Sequence, residues 1–445
     1  MKRHIDNKLN AWIQSAHRKP LLLFGARQVG KTYALKKLAA QCCKNIAYVD
    51  FSRDLDALSV FEGSIRPADI VLQLEALLGI PIESNNTLIV LDEIQLSERA
   101  LTSLKYFCED APEYAVAAAG SLLGVKVNRG KYSFPVGKVD MLTLYPMNFE
   151  EYLWARGEER LSGLVRGAAE TDVAAYEKFN LHDRAMDLLR EYFLVGGMPE
   201  AVQTYVDACD HSSVEALDKA RIKLTQIDQA YVADMTKYST AAEAPRIFEA
   251  WQSIPGQLAK ENHKFQYAKI RSGARASQYE TALAWLEAAG IVARCTHVSD
   301  GIAPLKEFEK RDMFKLYMAD TGLLSCAYDV LPQDVLPSGD KAARFRGGLA
   351  ENYTMQQLTS CGVQPYYWGV ASKSEVEFVA RSKQGDVIPI EVKSGENVRA
   401  NSLMAYREKY KPPYVVRTSA KNFGYANGIA SIPLYAIGFF AEQLR

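Results

Sequence analysis

The N-terminal fold of this chain is decided by the stretch Leu21-Leu22-Leu23-Phe24-Gly25-Ala26-Arg27-Gln28-Val29-Gly30-Lys31-Thr32. Four apolar residues, typical of a buried strand, run into a loop of the form G-x-x-x-x-G-K-T, and a helical pattern follows. The glycines let backbone N–H groups wrap around an anion, which the N-terminus of the next helix also faces. The stretch therefore predicts a P-loop, with Lys31 at the β- and γ-phosphates of ATP and Thr32 at Mg²⁺.

A second motif completes this predicted site. The run Leu88-Ile89-Val90-Leu91-Asp92-Glu93 is an apolar strand that ends in two carboxylates, and buried parallel strands carry functional residues at their C-terminal ends. Asp92 suits the Mg²⁺ shell, either directly or through water, and Glu93 suits activation of the attacking water. The alternative is an exposed Asp-Glu pair at a helix start. The two motifs together predict Mg-ATP hydrolysis, with Lys31 and Glu93 as catalytic residues.

Strand and helix patterns alternate through the first third of the chain, which predicts an α/β fold with a parallel P-loop sheet. The predicted strands are Leu21–Phe24, Asn45–Phe51, Leu88–Leu91 and Tyr114–Ala119, and two of the predicted helices are Thr32–Ala40 and Leu101–Glu109. We predict an ATPase core over 1–148, a helical lid over 149–243, a winged-helix-like domain over 244–330, a linker over 331–344 and a mixed α/β domain over 345–445.

The bulk composition is that of a globular protein, with 48% hydrophobic and 24% charged residues. Basic and acidic residues balance, 53 against 53, so any binding to DNA must come from a local patch. No signal-peptide core or apolar run of transmembrane length is found. The seven cysteines show no C-x-x-C pair, which argues against a zinc site and for a reduced, cytoplasmic protein without membrane contact.

Several motifs together resemble a large prokaryotic family of predicted AAA-superfamily ATPases. These are Gly25–Thr32 ("GARQVGKT"), Leu91–Gln95 ("LDEIQ"), Ala119–Gly124, Ser133–Lys138, Gly196–Glu200 and Tyr317–Leu323. The resemblance covers nearly the whole chain and implies an ATPase core followed by a C-terminal domain of unknown function. In AAA-type ATPases the strand beside the acidic one ends in a polar residue that senses the γ-phosphate, and Ser121 fits that position, although it is also suited to an ordinary turn. Such enzymes often form homo-oligomers that share a catalytic arginine. Arg99, Arg129 and Arg156 are possible positions for it, but each is better suited to a solvated surface position, so the sequence assigns none of them to the site.

The C-terminal region carries a second constellation. Glu351 opens a helical pattern, Glu377 lies on a predicted strand with Glu375, and Glu391 and Lys393 share one face of the next strand. Glu351, Glu377, Glu391 and Lys393 resemble the PD-(D/E)xK nuclease pattern, in which two acids hold Mg²⁺ and the lysine positions water. Glu377 departs from the usual aspartate, which Mg²⁺ geometry tolerates poorly. The alternative is a solvated, salt-bridged strand face.

The middle region contains a basic patch, formed by Lys260, Lys264, Lys269, Arg271 and Arg275, just before the predicted helix Ser277–Ala289. Such a patch could hold DNA phosphates, but Glu280 and Glu287 on the helix oppose this, and Trp285 and Leu286 suit a core. Two functional hypotheses follow. One is an ATP-driven nucleic-acid-processing enzyme, and the other is an ATP-controlled switch that uses an inactive nuclease-like domain as a binding platform.

Overall fold

The computed structural model describes residues 1–120, 135, 137–209, 212–260, 264–331, 334, 343–370, 374–394 and 401–445. The described chain divides into two compact units. The first, which we call the P-loop unit, contains Lys2–Tyr145 and the short segment Ala288–Gly290. The second, the C-terminal unit, contains Pro146–Glu287 and Ile291–Arg445, together with Met1.

The P-loop unit is built around a five-stranded sheet. Its strands are β1 (Leu21–Phe24), β2 (Asn45–Asp50), β3 (Thr87–Asp92), β4 (Ala115–Ala119) and β5 (Asp140–Thr143). Its helices are α1 (His4–Gln14), α2 (Lys31–Cys42), α3 (Leu55–Glu62), α4 (Pro67–Leu78) and α5 (Glu98–Asp110). The strand order is β2-β3-β4-β1-β5, and every pair is parallel. The predicted α/β fold with a parallel P-loop core is confirmed.

The strand order places the P-loop strand and the acidic strand close together without pairing them. β4 lies between β1 and β3, and its five residues are all buried, as are all six of β3. Strands that are buried on both faces need helices on both sides of the sheet, and the alternating helices supply them. The carboxyl ends of β1 and β3 therefore meet at one edge of the sheet, where ligands of open α/β sheets bind.

The C-terminal unit begins with a helical segment. Its first helices are α6 (Phe149–Ala155), α7 (Glu159–Glu170), α8 (His182–Val195), α9 (Pro199–Cys209), α10 (Ser213–Lys237), α11 (Ala244–Leu258) and α12 (Ala276–Ala288). Three more follow, α13 (Thr321–Ala327), α14 (Ala343–Ser360) and α15 (Asn401–Tyr410), and α16 (Ile437–Leu444) ends the chain. Trp285 and Leu286 on α12 are buried, as their apolar character predicts.

An eight-stranded mixed sheet forms the rest of this unit. Its strands are β6 (Val292–Val298), β7 (Glu309–Met318), β8 (Tyr366–Val370), β9 (Ser374–Arg381), β10 (Val387–Val392), β11 (Val415–Ser419), β12 (Gly424–Ala426) and β13 (Ile429–Pro433). The order is β12-β13-β11-β10-β9-β8-β6-β7. The antiparallel pair β6–β7 comes from the segment predicted to be winged-helix-like, and β6 pairs in parallel with β8 from the segment after the linker. Both segments thus contribute to one sheet.

Two of the family-like motifs meet inside the C-terminal unit. The carboxylate of Asp320 is fully buried and accepts backbone N–H bonds from Gly197 at 2.6 Å and Leu323 at 3.0 Å. A Cβ atom on Gly196 would collide with Asp320 and with the backbone of Gly322. Desolvation raises the pKa of Asp320 to about 6. The motif residues therefore form a tight packing contact that only glycine permits at these positions. Across the described ranges, no helix is both long and apolar enough to cross a membrane.

Candidate functional site

The P-loop backbone takes conformations that explain its glycines. Gly25 has a φ of 143°, and a Cβ atom at this position would collide with the carbonyl oxygen of Leu144 on the chain that follows β5. Gly30 has a φ of 96° and immediately precedes α2, whose first residue is Lys31. Positive φ values favour glycine, so the loop shape depends directly on these residues. The loop ends at the N-terminus of a helix, where backbone N–H groups and the helix dipole attract anions.

Lys31 lies inside the loop that it follows. Its ammonium donates hydrogen bonds to the carbonyl oxygens of Gly25 and Ala26, both at 2.8 Å, and the residue is only 7% exposed. Desolvation lowers the pKa of Lys31 to about 8, although the carboxylates of Glu93 and Asp92 favour the charged form. The loop thus holds a buried cation at the point where nucleotide phosphates are predicted to bind.

Asp92 receives hydrogen bonds from three elements. The Thr32 hydroxyl donates to its Oδ2 at 2.6 Å, the Tyr48 hydroxyl donates to the same oxygen at 3.0 Å, and the Glu93 N–H donates to Oδ1 at 3.0 Å. Adjacent oxygens in an octahedral Mg²⁺ shell with bonds of 2.0–2.1 Å lie about 2.9 Å apart. The hydroxyl and carboxylate oxygens of Thr32 and Asp92 therefore fit one face of such a shell, and both are hard donors of the type Mg²⁺ prefers.

Glu93 is positioned by its backbone and by one neighbouring amide. It has a φ of 53°, in the left-handed region, directly after β3. The side-chain amide of Gln95 donates to Glu93 Oε2, and Gln95 itself is only 1% exposed. Desolvation raises the pKa of Glu93, while the Gln95 hydrogen bond opposes that shift. This arrangement holds a carboxylate of raised basicity in a fixed direction beside the P-loop.

The four residues of the predicted nuclease-like site also come together, in the C-terminal unit. The ammonium of Lys393 lies 3.2 Å from Glu377 Oε1 and 3.5 Å from Glu391 Oε1. The second oxygen of Glu377 accepts the backbone N–H of Val392 at 3.2 Å. Glu351, on α14, acts electrostatically on Glu377. Desolvation raises the pKa of Glu377 to about 7, against the opposing effect of Lys393.

Two further lysines and an additional glutamate enlarge this group into what we call the acidic cluster. Lys315 on β7 is 1% exposed, and its ammonium lies 2.7 Å from Glu375 Oε1 and 3.4 Å from Glu351 Oε2. Tyr317 donates to the same Glu351 oxygen at 2.9 Å, and Lys264 lies 3.5 Å from Glu375 Oε2. The cluster thus contains the carboxylates and ammonium groups of Glu351, Glu375, Glu377, Glu391, Lys264, Lys315 and Lys393.

Three family models match separate segments of the chain. Residues 17–153 match a family model described as an AAA domain. This segment contains the five strands of the P-loop sheet. Residues 186–334 and 346–437 match two further models, each described as a domain of unknown function. No curated protein matches the chain.

Solved structures with a general likeness to the chain include three archaeal proteins. The Walker-type ATPase paby2304 of Pyrococcus abyssi is 14% identical, with 74% of this chain and 95% of that chain covered and a TM-score of 0.45. The Aeropyrum pernix ORC2 protein in its ADPNP–ADP complexes is 13% identical, with 74% and 92% covered and a TM-score of 0.39. Cdc6p from Pyrobaculum aerophilum is 12% identical, with 74% and 93% covered and a TM-score of 0.28.

Three further residues of the P-loop unit, which the predicted site does not include, contribute to the candidate site. Tyr48 and Gln95 contact the two carboxylates, as described above. Arg3 precedes α1, is buried, and donates to the carbonyl oxygens of Val29 in the P-loop at 3.1 Å and Tyr145 at 2.7 Å. Gln95 stands in the "LDEIQ" motif, which was a usable signal. No sequence signal marks Tyr48 or Arg3, because only the tertiary fold brings β2 and the N-terminal segment to the P-loop.

The remaining residues considered for the site are Ser121 and three arginines. Ser121 and Arg129 lie outside the described residues. Arg99 donates to the carbonyl oxygens of Phe61, in helix α3, and of Gly63, which follows that helix. Arg156, in the C-terminal unit, contacts Glu191 at 3.3 Å and the Tyr205 ring. Both described arginines are therefore engaged in structural contacts of their own units.

The basic patch of the middle region is partly neutralised by acids. Lys264 pairs with Glu375, and Arg271 lies 3.7 Å from Glu249. The other three basic residues are exposed, and they are Lys260, Lys269 and Arg275. On α12 the exposed Glu280 adds negative charge, while Glu287 is paired with Arg294 at 2.5 Å. The patch is thus reduced to a few scattered cations, and DNA contact remains a prediction.

The lowered pKa of Lys31 predicts a pH-dependent affinity. The charged ammonium attracts phosphate, so raising the pH through its pKa of about 8 removes that attraction. One-proton linkage gives roughly an eightfold loss of Mg-ATP affinity between about pH 7.5 and about pH 9. Isothermal titration calorimetry across this range measures the loss. The control is the Lys31→Ala variant, titrated at concentrations high enough to detect its weaker binding, because its residual affinity should not follow this profile. Equal affinity of the wild type at both ends of the range would contradict the prediction.

Proposed function

We propose that the AAA domain binds and hydrolyses ATP with Mg²⁺. In this proposal Gly25, Ala26, Arg27, Gln28, Val29 and Gly30 surround the phosphates. Lys31 neutralises the β- and γ-phosphates, and Thr32 and Asp92 hold Mg²⁺, which supplies charge neutralisation of the phosphate oxygens when bound. Glu93 orients the attacking water and accepts its proton. Ser121 is retained as the proposed γ-phosphate sensor.

The observation that carries this proposal is the convergence of two sequence-distant motifs at one sheet edge. The Thr32 hydroxyl lies 2.6 Å from the Asp92 carboxylate, although the two residues are 60 positions apart. Glu93 follows directly and is held by Gln95. A site that only bound nucleotide would not require a partly desolvated carboxylate fixed at this place. Such a carboxylate suits general-base catalysis, for which a raised pKa near the working pH is favourable.

The direct test is the release of inorganic phosphate from ATP by the full-length protein. We expect turnover that requires Mg²⁺ and stops when EDTA is added in excess of the metal, because the phosphate charge is then no longer neutralised. Restoring Mg²⁺ should restore the rate. Turnover that persists in EDTA, or none in the presence of Mg²⁺ while ATP binds, would contradict the proposal.

A second candidate concerns what ATP hydrolysis controls. The acidic cluster favours the switch hypothesis over nucleic-acid cleavage. Its carboxylates form ion pairs with Lys315 as well as with Lys393, the lysine of the nuclease-like pattern. We therefore propose that ATP state controls a C-terminal unit that acts as a binding platform. DNA and a second copy of this chain are the partners to test.

A cleavage assay distinguishes the two hypotheses. Single- and double-stranded DNA and RNA are incubated with the full-length protein, Mg²⁺ or Mn²⁺, and ATP. The switch hypothesis predicts no cleavage by the wild type and no difference from Lys393→Ala. Metal-dependent cleavage that is lost in Lys393→Ala would instead establish a nuclease.

A further inference from the structure

The acidic cluster has a residue that the nuclease-like pattern does not contain. Lys315 stands in the run Met313-Phe314-Lys315-Leu316-Tyr317 on β7, a strand whose last five residues are all buried. A lysine is rarely so buried unless it is paired. Its ammonium lies between two elements, with Glu375 of β9 at 2.7 Å and Glu351 of α14 at 3.4 Å. Burial disfavours this ammonium, but Glu351, Glu375 and Glu377 outweigh that effect and raise its pKa.

The position of this ammonium conflicts with a divalent metal. Mg²⁺ needs carboxylate or other oxygens at 2.0–2.1 Å, and Glu351 would be one of its ligands in the nuclease-like arrangement. Here the Glu351 Oε2 atom is already bonded to Tyr317 and contacts Lys315. Among the described residues, no three carboxylates of the cluster bring oxygens within 4.8 Å of one another. The residues of the cluster therefore do not fit Mg²⁺ as they are arranged.

The charge count supports the same conclusion. The cluster has four carboxylates and three ammonium groups, and its formal charge is −1 when all are ionised. Without Lys315 the formal charge would be −2, which a single divalent cation would neutralise. Lys315 thus supplies charge at the point where a metal would otherwise be needed.

We propose that the Lys315 ammonium is a built-in cation that joins Glu351 to Glu375 in place of a divalent metal. The acidic cluster is then a permanently neutralised ion-pair network rather than a hydrolytic metal centre. The Lys393 ammonium has the equivalent place between Glu377 and Glu391. This proposal does not depend on ATP hydrolysis by the AAA domain, and either can fail without the other.

The test is a Mn²⁺ titration of the full-length protein, in which electron paramagnetic resonance measures free Mn²⁺. All variants carry Asp92→Asn to remove the contribution of the nucleotide site. The parent should show no site that responds to Glu351→Gln. Lys315→Met, which has a similar length and no charge, should gain one Mn²⁺ site at least tenfold tighter than any in the parent. Adding Glu351→Gln to Lys315→Met should remove the gained site.

Two further variants keep the result interpretable if Lys315→Met folds poorly. Lys315→Arg retains the positive charge and should gain no site. Lys315→Met combined with Glu375→Gln leaves the formal charge at −1, so it should fold as the parent does and bind Mn²⁺ weakly or not at all. Circular dichroism checks the fold of each variant. The proposal is overturned if the parent binds Mn²⁺ through Glu351 and Glu377, or if folded Lys315→Met gains no site.

Discussion

Replacing Lys31 with alanine is expected to abolish Mg-ATP binding at the concentrations used for the wild type. The ammonium is the buried cation of the P-loop, and hydrogen bonds to a charged group contribute about 1.5–3 kcal/mol each. Loss of two phosphate contacts therefore weakens binding by at least about 3 kcal/mol, which is more than roughly a hundredfold. Titration with a fluorescent ATP analogue measures the affinity, and phosphate release should disappear in parallel.

The matched control for this change is Lys8→Ala. Lys8 is an exposed lysine on α1 of the same unit, so its removal changes net charge equally. We expect wild-type affinity for Lys8→Ala and near-normal melting temperatures for both variants. If Lys31→Ala unfolds the unit, the loss of binding says nothing about phosphate recognition. If Lys31→Ala is folded and binds ATP normally, the assignment of the P-loop lysine is wrong.

The second large effect is expected for Glu93→Gln. Glutamine has the same shape and its amide oxygen can still accept the hydrogen bond from Gln95, but it cannot take a proton from water. The turnover number should therefore fall by roughly 10²–10⁴, the usual contribution of general acid–base catalysis. ATP affinity should change by less than about threefold, because Glu93 is not assigned a phosphate contact. Single-turnover hydrolysis and equilibrium binding measure the two quantities separately.

Two variants define the specificity of that effect. Glu113→Gln removes an exposed carboxylate from the same unit and should leave turnover unchanged. Gln95→Ala leaves the carboxylate but removes the amide that directs it, so we expect a smaller fall in turnover with affinity retained. Since the Gln95 bond lowers the Glu93 pKa, this variant should also need a higher pH for full activity. Wild-type turnover in Glu93→Gln would refute the assigned base.

The proposed nucleotide site could be derived largely from the sequence, because its motifs obey short-range rules. A strand that runs into G-x-x-x-x-G-K-T fixes the P-loop, and a carboxylate pair at the end of an apolar strand fixes the second half. The strands predicted at Leu21–Phe24, Asn45–Phe51 and Leu88–Leu91 differ from β1, β2 and β3 by at most one residue at either end. These segments contain enough apolar residues, or are bounded by glycine, so that the local sequence pattern is sufficient to predict them as strands.

The remaining contacts depend on tertiary structure. Tyr48 reaches Asp92 because β2 pairs with β3 in a register that sets Asp50 opposite Asp92. No local sequence pattern predicts this register of β2 with β3. The position of Lys315 has no local signal for a different reason. A lysine in an edge strand, which β7 is, ordinarily places its ammonium in solvent, whereas Lys315 is buried. Its role becomes visible only when β7 is seen beside the helix that carries Glu351.

The parallel pairing of β6 with β8 has a consequence for how this protein can be divided. A chain that ended near residue 330 would keep the hairpin β6–β7 but lose every strand that follows it in the sheet. The backbone N–H and C=O groups of Thr296–Val298 that pair with β8 would lose their partners and form an exposed sheet edge. Such an edge can pair with other chains. The same truncation would remove Glu351 and Glu375, the two carboxylates that form ion pairs with Lys315. The residues after about 330 therefore complete the sheet that contains β6 and β7, and we expect a chain shortened at this point to aggregate.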